Sequence, residues 1–115
     1  MESTVDPVFY FNVYSPVTSL SFCNTPCPYP EKEKTLLMIG NGCGKILQWD
    51  IRSRKQENEI ELSSEETKNP ILWLCALKHE EQLLLVVQAR FSDKIYLFKY
   101  TNSSWMKINV FSGQD

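Results

Sequence analysis

The sequence predicts an all-β fold made of two four-stranded antiparallel sheets. Short apolar runs rich in β-branched and aromatic residues recur along the chain, and none shows a sustained helical period. Turn-forming residues such as Gly, Pro, Asn and Ser separate these runs at close intervals. The two halves of the chain also align with each other strand by strand. With 115 residues, the chain is long enough for one small domain.

Nine strands are predicted, and polar or turn-forming segments separate them. In chain order the strands are Val8–Tyr14, Val17–Phe22, Leu36–Ile39, Lys45–Ile51, Glu59–Leu62, Ile71–Leu77, Leu83–Gln88, Lys94–Tyr100 and Trp105–Phe111. The longest separating loop is the proline-rich stretch "NTPCPYPEKEK". Shorter charged or polar segments connect the later strands.

The last eight strands form two aligned units of four. Corresponding strands of the first and second unit begin at Val17 and Ile71, Leu36 and Leu83, Lys45 and Lys94, and Glu59 and Lys107. The separation along the chain is larger between Val17 and Ile71 than between Ile46 and Ile95. The longer loop of the first unit accounts for this drift. Two copies of one four-strand pattern predict a repeat architecture.

The third strand of each unit is apolar on both faces. Along Lys45–Ile51, Leu47 and Trp49 point to one side while Ile46 points to the other. Such a strand is expected to be covered on both faces, as when neighbouring sheets sandwich it. The strand Glu59–Leu62 alternates charged and apolar residues instead, and is expected to lie half-exposed at an outer edge.

The glycine-rich segment "IGNGCGKILQWDI" allows two interpretations. A phosphate-binding loop needs four residues between its first glycine and Gly-Lys, then Ser or Thr, and then a helix. Here Gly40 and Gly44 enclose three residues, Ile46 replaces the hydroxyl, and a strand pattern follows. The segment therefore predicts a hairpin turn, in which Asn41-Gly42 adopts positive φ and Gly44 relaxes the turn exit.

These segments resemble two repeats of the WD-repeat β-propeller family. In the first unit Trp49-Asp50 stands as the signature dipeptide that closes the third strand, and in the second unit Phe98-Lys99 takes its place. The family's Gly-His ahead of the first strand is absent from both units. Because Phe98-Lys99 replaces the signature dipeptide, the second unit resembles a degenerate repeat.

The resemblance implies two four-stranded WD-repeat blades of an incomplete β-propeller, at residues 15–62 and 69–111. Residues 8–14 resemble the outer strand that the N-terminus often supplies in this family. Propellers close with about 4–8 blades, so two blades leave apolar faces open. The chain is therefore expected to be a fragment or short isoform of a longer propeller, or to self-associate through its open blade faces.

Within the family, "SPVTSLSFC" and "ILQWDIRSRK" are similar to the first blade of guanine nucleotide-binding protein β-subunit-like proteins, whose fungal counterparts are ASTRA-associated subunits. This resemblance implies a non-catalytic interaction scaffold that acts with co-chaperones in the maturation of phosphatidylinositol-3-kinase-related kinases. Two alternatives stay open. One is a short isoform or fragment that competes with a full-length propeller, and the other is a propeller-based hydrolase, for which Cys43 and Asp50 are the pair to test.

Two loops are candidates for binding protein partners, because propellers bind through rim loops and outer edges. The candidate residues are Tyr29, Lys32 and Lys34 in the first loop, and Arg52, Arg54 and Lys55 in the second. The alternative interpretation of both is a solvated turn whose charges keep the surface wet.

Composition excludes several partners. The net charge of −2 and the pI of about 5.4 provide no field that recruits nucleic acid or an anionic membrane. No apolar run approaches the roughly 20 residues that cross a bilayer. The N-terminus carries Glu2 and Asp6 where a secretory signal needs basic residues. We expect a cytoplasmic or nuclear protein.

The four cysteines are expected to be reduced thiols, with Cys43 in a turn and Cys75 in a core strand. Cys23 and Cys27 frame "CNTPC", but zinc needs four ligands at tight spacings, and the single histidine, His79, stands apart. No metal or cofactor is predicted.

Overall fold

A computed structural model describes residues 15–25, 34–63 and 69–112. These residues form eight β-strands and no helix. The strands are β1 (Val17–Asn24), β2 (Thr35–Asn41), β3 (Lys45–Asp50), β4 (Lys55–Glu61), β5 (Ile71–His79), β6 (Gln82–Ala89), β7 (Lys94–Thr101) and β8 (Ser104–Ser112). The predicted strand Val8–Tyr14 lies outside the described residues.

The strands form two antiparallel meanders of four, sheet 1 in the order β1-β2-β3-β4 and sheet 2 in the order β5-β6-β7-β8. The predicted all-β class with two four-stranded antiparallel sheets is confirmed. One boundary differs, since β4 begins at Lys55 and not at Glu59. Charged and amide side chains cover this part of β4, and backbone pairing with β3 makes it a strand where hydrophobicity gives no signal.

The backbone register defines which residues of the two sheets are equivalent. Gln48 pairs with Asn58 in sheet 1, and Leu97 pairs with Asn109 in sheet 2. Gln48 in β3 is therefore equivalent to Leu97 in β7, which agrees with the alignment that the sequence predicts for these strands. Asn58 in β4 is equivalent to Asn109 in β8, at a longer separation along the chain.

The other strand pairs show the same repeat. β1 and β5 align as the sequence predicts, because Leu20 pairs with Ile39 and its equivalent Leu74 pairs with Val87. Consequently Ile39 in β2 is equivalent to Val87 in β6. The predicted match of Leu36 with Leu83 is wrong by one residue.

Both sheets also share their irregularities. Each outer strand contains a β-bulge at the equivalent place, where Glu57 in β4 and Ile108 in β8 are the extra residues. The predicted match of Glu59 with Lys107 is wrong, because the hairpin between the third and fourth strands is two residues longer in sheet 2 and Glu59 is equivalent to Val110. In both sheets one backbone bond joins the first strand to the turn after the second, from Gly42 N to Pro16 O (2.9 Å) and from Arg90 N to Pro70 O (2.7 Å).

The two sheets stack in the same sense. We call the face of sheet 1 that carries Ile46, and the equivalent face of sheet 2 that carries Ile95, the front face; the back face carries Leu47 and its equivalent Tyr96. The front face of sheet 1 packs against the back face of sheet 2, so that Ile46 and Tyr96 belong to one core cluster. Of two equivalent residues, one therefore faces the contact and the other faces away from it, as in consecutive repeats; in a two-fold pair both would face the contact.

The core between the sheets is apolar on both sides. Its buried members are Leu36, Met38, Ile46, Ile60, Leu62, Ile71, Leu74, Leu85, Val87, Ala89, Tyr96 and Phe98. A second cluster on the back face of sheet 1 contains Leu37, Ile39 and Leu47. The prediction that the third strand is covered on both faces is therefore confirmed for β3. It is only partly met by β7, whose front-face residues Ile95 and Leu97 are half-buried.

Serine hydroxyls of β1 accept hydrogen bonds from backbone N–H groups at the edge of sheet 2. The backbone N–H groups of Leu74 and Ala76 donate to Ser19 Oγ and Ser21 Oγ, each at 3.0 Å. β5 is the edge strand of its sheet, so these donors have no partner strand among the described residues. The hydroxyls thus reduce the cost of burying an edge beside the neighbouring sheet.

A buried amide joins the outer strands of the two sheets. The Gln48 side chain is fully buried, and its Oε1 accepts from Trp105 Nε1 at 2.6 Å and from Asn58 Nδ2 at 3.1 Å. Its Nε2 donates to Glu57 Oε1 at 2.8 Å. Because a buried amide is costly unless its polar atoms are satisfied, this network fixes how sheet 2 sits on sheet 1.

Gly40 permits the closest approach between the sheets. A Cβ at this position would lie 2.6 Å from Ile71 Cγ2, which is far inside van der Waals contact. The absence of a side chain therefore creates the space that Ile71 fills. In the adjoining turn, Asn41 Oδ1 accepts from Cys43 N (2.9 Å) and Lys45 N (3.0 Å).

The hairpin predicted for the glycine-rich segment is confirmed, and β2 pairs directly with β3 across it. Its predicted backbone is partly wrong. Positive φ occurs at Gly44 (80°) and not at Asn41 or Gly42. The side-chain bonds of Asn41 hold the first part of the turn in ordinary φ space, and the reversal of twist falls on Gly44 alone.

We expect Gln48→Leu to lower the free energy of unfolding by about 1–3 kcal/mol, because Trp105 Nε1 then loses its acceptor inside the contact. Trp105→Phe in the same chain should recover part of this loss by removing the donor. Urea unfolding of the two single variants and the double variant measures the coupling. Strict additivity of the two changes would contradict the interaction.

Candidate binding surfaces

The structure brings part of the two predicted binding loops together. The backbone N–H of Ile51 donates to Thr35 O at 3.1 Å, which ties the turn after β3 to the start of β2. Lys34 therefore lies beside the turn that carries Arg52 and Arg54. Tyr29 and Lys32, the other members of the first loop, lie outside the described residues. We call Lys34, Arg52, Arg54 and Lys55 the basic end of sheet 1.

Asp50 shapes the turn at the basic end. Its carboxylate Oδ1 accepts from Arg52 N at 2.9 Å, and its backbone O accepts from Arg54 N at 2.8 Å. Asp50 is buried, and Arg54 adopts a left-handed φ of 60°. Asp50 thus organises the backbone that presents the two arginines, while Trp49 packs against the buried cluster on the back face of sheet 1.

Lys34 is already engaged within the chain. Its Nζ lies 3.0 Å from Glu57 Oε2 and 4.0 Å from Asp50 Oδ2. The hydrogen bond with Glu57, and then the negative charge of that carboxylate, raise the pKa of Lys34. Because the pair is solvent-exposed, its contribution to stability is small, at about 0–1 kcal/mol. Its main effect is to hold Lys34 against sheet 1.

Arg52, Arg54 and Lys55 extend into solvent. Lys55, predicted in a loop, is the first residue of β4 and pairs with Asp50. Its backbone is therefore fixed by the sheet. The basic end can offer a partner two guanidinium groups on a short turn, a geometry suited to carboxylates.

A second candidate surface is the front face of sheet 2, which we call the open face. It is equivalent to the face of sheet 1 that is buried in the core, yet its central residues are only half-buried: Leu84, Val86, Ile95 and Leu97. Around them Leu77, Met106 and Phe111 are 39%, 57% and 49% exposed. A contiguous exposed apolar surface of this kind is typical of an interaction site.

The open face was predictable only in part. The count of two repeats predicts open faces, but it does not say which sheet exposes one. Only the structure distinguishes the two outward faces: the back face of sheet 1 is buried, whereas the front face of sheet 2 is not.

The described cysteines differ in environment. Cys23 is half-buried, and burial raises its pKa from 9.0 to about 11. Cys43 lies in the turn after β2, as predicted, and is exposed. Cys75 lies in a strand as predicted, but it is exposed on the open face and does not belong to the core. Strand periodicity places it on a face, and only the packing of sheets decides whether that face is covered.

The structure separates the pair proposed for the hydrolase alternative. Cys43 precedes β3, and Asp50 is the last residue of that six-residue strand. At a rise of about 3.3 Å per residue the strand alone separates its two ends by roughly 16 Å, far beyond proton-transfer distance. The proposed pairing of Cys43 with Asp50 is therefore wrong.

Among residues 15–25, 34–63 and 69–112, no three His, Cys, Asp or Glu side chains are grouped as metal ligands would be. The same ranges contain no helix of the length and apolarity needed to cross a membrane. No protein-family model matches the chain, and no curated protein matches its sequence.

We expect alkylation to distinguish the described cysteines. Near neutral pH, iodoacetamide should modify Cys43 and Cys75 but not Cys23, because the raised pKa and partial burial leave little thiolate at Cys23. Peptide mass spectrometry measures each site, with the urea-unfolded chain as the control in which all three react. Labelling of Cys23 at the rate of Cys43 in the folded chain would contradict its environment.

The raised pKa of Cys23 also makes the stability of the fold depend on pH. A raised pKa means that the folded state binds the Cys23 proton more tightly, so this contribution is complete below the unfolded pKa of 9.0 and is lost as the pH rises towards about 11. Cys23→Ser should remove that part of the alkaline destabilisation in urea unfolding.

Proposed function

We propose that this chain is a pair of consecutive WD-repeat blades and acts as a protein-interaction scaffold with no chemistry of its own. The observation that supports this most directly is the same-sense stacking of two equivalent sheets. Blades of a propeller stack front to back around a ring, and each blade's free face receives the next. A two-fold sandwich would have turned the same face of both sheets towards the contact.

The shared details strengthen the proposal. Both sheets carry the same outer-strand bulge, the same bulge near the start of the first strand, and the same backbone bond that closes the turn after the second strand. Bulges and closing bonds at equivalent positions are what a repeated unit is expected to keep, while its loops vary in length. These details support a repeat of blades over two unrelated sheets.

The biological setting follows from the resemblance of "SPVTSLSFC" and "ILQWDIRSRK" to guanine nucleotide-binding protein β-subunit-like and ASTRA-associated proteins. On that basis we propose that the scaffold acts with co-chaperones in the maturation of phosphatidylinositol-3-kinase-related kinases. The alternative is a short isoform or fragment that competes with a full-length propeller, and the open face favours it, because the same face would be occupied inside a complete ring.

Quantitative pull-down with the tagged full chain tests the scaffold. We expect recovery of co-chaperones and of phosphatidylinositol-3-kinase-related kinases, and we expect Arg52→Glu with Arg54→Glu to reduce it by about tenfold, the equivalent of 1.4 kcal/mol. Reversing both charges leaves the Asp50 turn intact, since Asp50 bonds to backbone N–H groups there.

Two further variants assign the effect to a surface. Leu97→Glu places a negative charge on the open face, and Leu20→Glu, at an exposed leucine on the back face of sheet 1, is the matched control. Loss of partners with Leu97→Glu alone would move the binding site from the basic end to the open face. Recovery that none of the variants changes would refute the scaffold on both surfaces.

A further inference from the structure

The open face differs in chemistry from the face of sheet 1 to which it is equivalent. Three features of sheet 1 allow sheet 2 to pack on it: the hydroxyls of Ser19 and Ser21, the amide of Gln48, and the missing side chain of Gly40. The register assigns an equivalent to each of these in sheet 2. The equivalents are Trp73, Cys75, Leu97 and Gln88.

Three of these replacements, at Leu97, Trp73 and Gln88, would reject another copy of the sheet 2 back face. Against Leu97, the donor Trp105 Nε1 would lose the acceptor that Gln48 Oε1 provides at 2.6 Å. An indole N–H enclosed in a sheet contact without an acceptor destabilises that contact. In the existing contact, Ser19 Oγ of sheet 1 accepts from the edge N–H group of Leu74. Trp73, the equivalent of Ser19 on the open face, has no hydroxyl that could accept such a bond.

The third replacement is steric. In sheet 1, even a Cβ at position 40 would lie 2.6 Å from Ile71. The equivalent Gln88 carries a whole side chain, and that side chain is held in place: its Oε1 accepts from Trp73 Nε1 at 2.9 Å and its Nε2 donates to Ser92 O at 3.0 Å. An isoleucine in the place of Ile71 therefore has no space on the open face.

The charge is also inverted. Asp50 ends β3 on the front face of sheet 1, and Lys99 is its equivalent on the open face. Sheet 2 presents Tyr100 at this end of the contact: its ring centroid lies 5.0 Å from that of Trp105, which donates to Gln48, two residues before Asp50 in β3. In a further sheet that packs on the open face, the residue equivalent to Tyr100 would lie beside Lys99. At that position a carboxylate is favoured over a phenol.

We infer that the open face binds a β-sheet of a different protein segment and discriminates against sheet 2 itself. The partner sheet is apolar where sheet 2 has Trp105, small where it has Ile71, and acidic where it has Tyr100. This inference rests on the proposed function only for the existence of such a partner. The inference also restricts the predicted self-association of the chain. A second copy cannot pack the back face of its sheet 2 on the open face.

A tandem chain tests the discrimination. A second copy of residues 64–112 is joined behind the full chain, with Cys75→Ser in that copy, so that Cys75 of the first copy reports whether the open face is covered. We expect Cys75 to be alkylated at the rate found in the single chain, because the third sheet does not pack. Peptide mass spectrometry measures the rate at this one site.

Two altered tandem chains should pack. In one, Trp73→Ser, Gln88→Gly and Leu97→Gln give the first copy the features of sheet 1. In the other, Ile71→Ala, Tyr100→Glu and Trp105→Leu give the added copy the chemistry of the inferred partner. In each we expect alkylation of Cys75 to slow by about tenfold, which corresponds to 1.4 kcal/mol of packing. Lys99→Glu in the first copy of the second chain should abolish the protection.

The same substitutions in the single chain provide the control for folding, with circular dichroism and urea unfolding as readouts. Protection of Cys75 in the unaltered tandem chain would overturn the inference, since the open face would then accept sheet 2. Folded tandem variants that show no protection would overturn it as well. Either result is independent of the pull-down, which tests whether partners exist and not which sheet the face accepts.

Discussion

A four-stranded sheet with two apolar faces is not stable alone in water, because each face exposes aliphatic side chains to the solvent. In this chain the front face of sheet 1 and the back face of sheet 2 remove that exposure from each other. Their contact buries twelve residues in one cluster. Full burial of a large aliphatic side chain contributes about 1.5–3 kcal/mol, so this cluster outweighs the few hydrogen bonds that cross the contact.

The polar contacts have a different role. Each crossing bond contributes about 1 kcal/mol net, yet each becomes costly when the facing group is wrong. Gln48 and the two serines therefore determine which face packs on which, while the aliphatic side chains provide most of the stability. This division explains how two equivalent sheets can stack in one order only. The open face keeps the apolar character of its counterpart but none of its matching polar groups.

Much of the fold could be predicted from the sequence, and the reasons differ between elements. Alternation and turn residues identified β1 to β8, and the match of Ile46 with Ile95 identified the repeat. The bulges at Glu57 and Ile108 were missed, because a bulge changes backbone pairing without a fixed residue type. The start of β4 at Lys55 was missed because an exposed edge strand needs no apolar residues.

The candidate surfaces were less predictable. The charges at Arg52 and Arg54 were visible in the sequence, but the role of Asp50 in shaping their turn depends on backbone geometry. The exposure of Cys75 and Leu97 depends on whether a further sheet covers them, which no local pattern encodes. The rejection of sheet 2 by the open face becomes visible only when the register shows that Gln88 stands where Gly40 does.

The meander topology has a consequence for synthesis on the ribosome. Every strand pairing within a sheet joins neighbours in the chain, so all four strands of sheet 1 leave the exit tunnel before the strands of sheet 2 that pack on them. Until then the hydroxyls of Ser19 and Ser21 and the amide of Gln48 lack their hydrogen-bond donors from sheet 2. Polar groups of this kind remain hydrated during the delay. They would make the nascent first sheet less prone to aggregation than a wholly aliphatic surface.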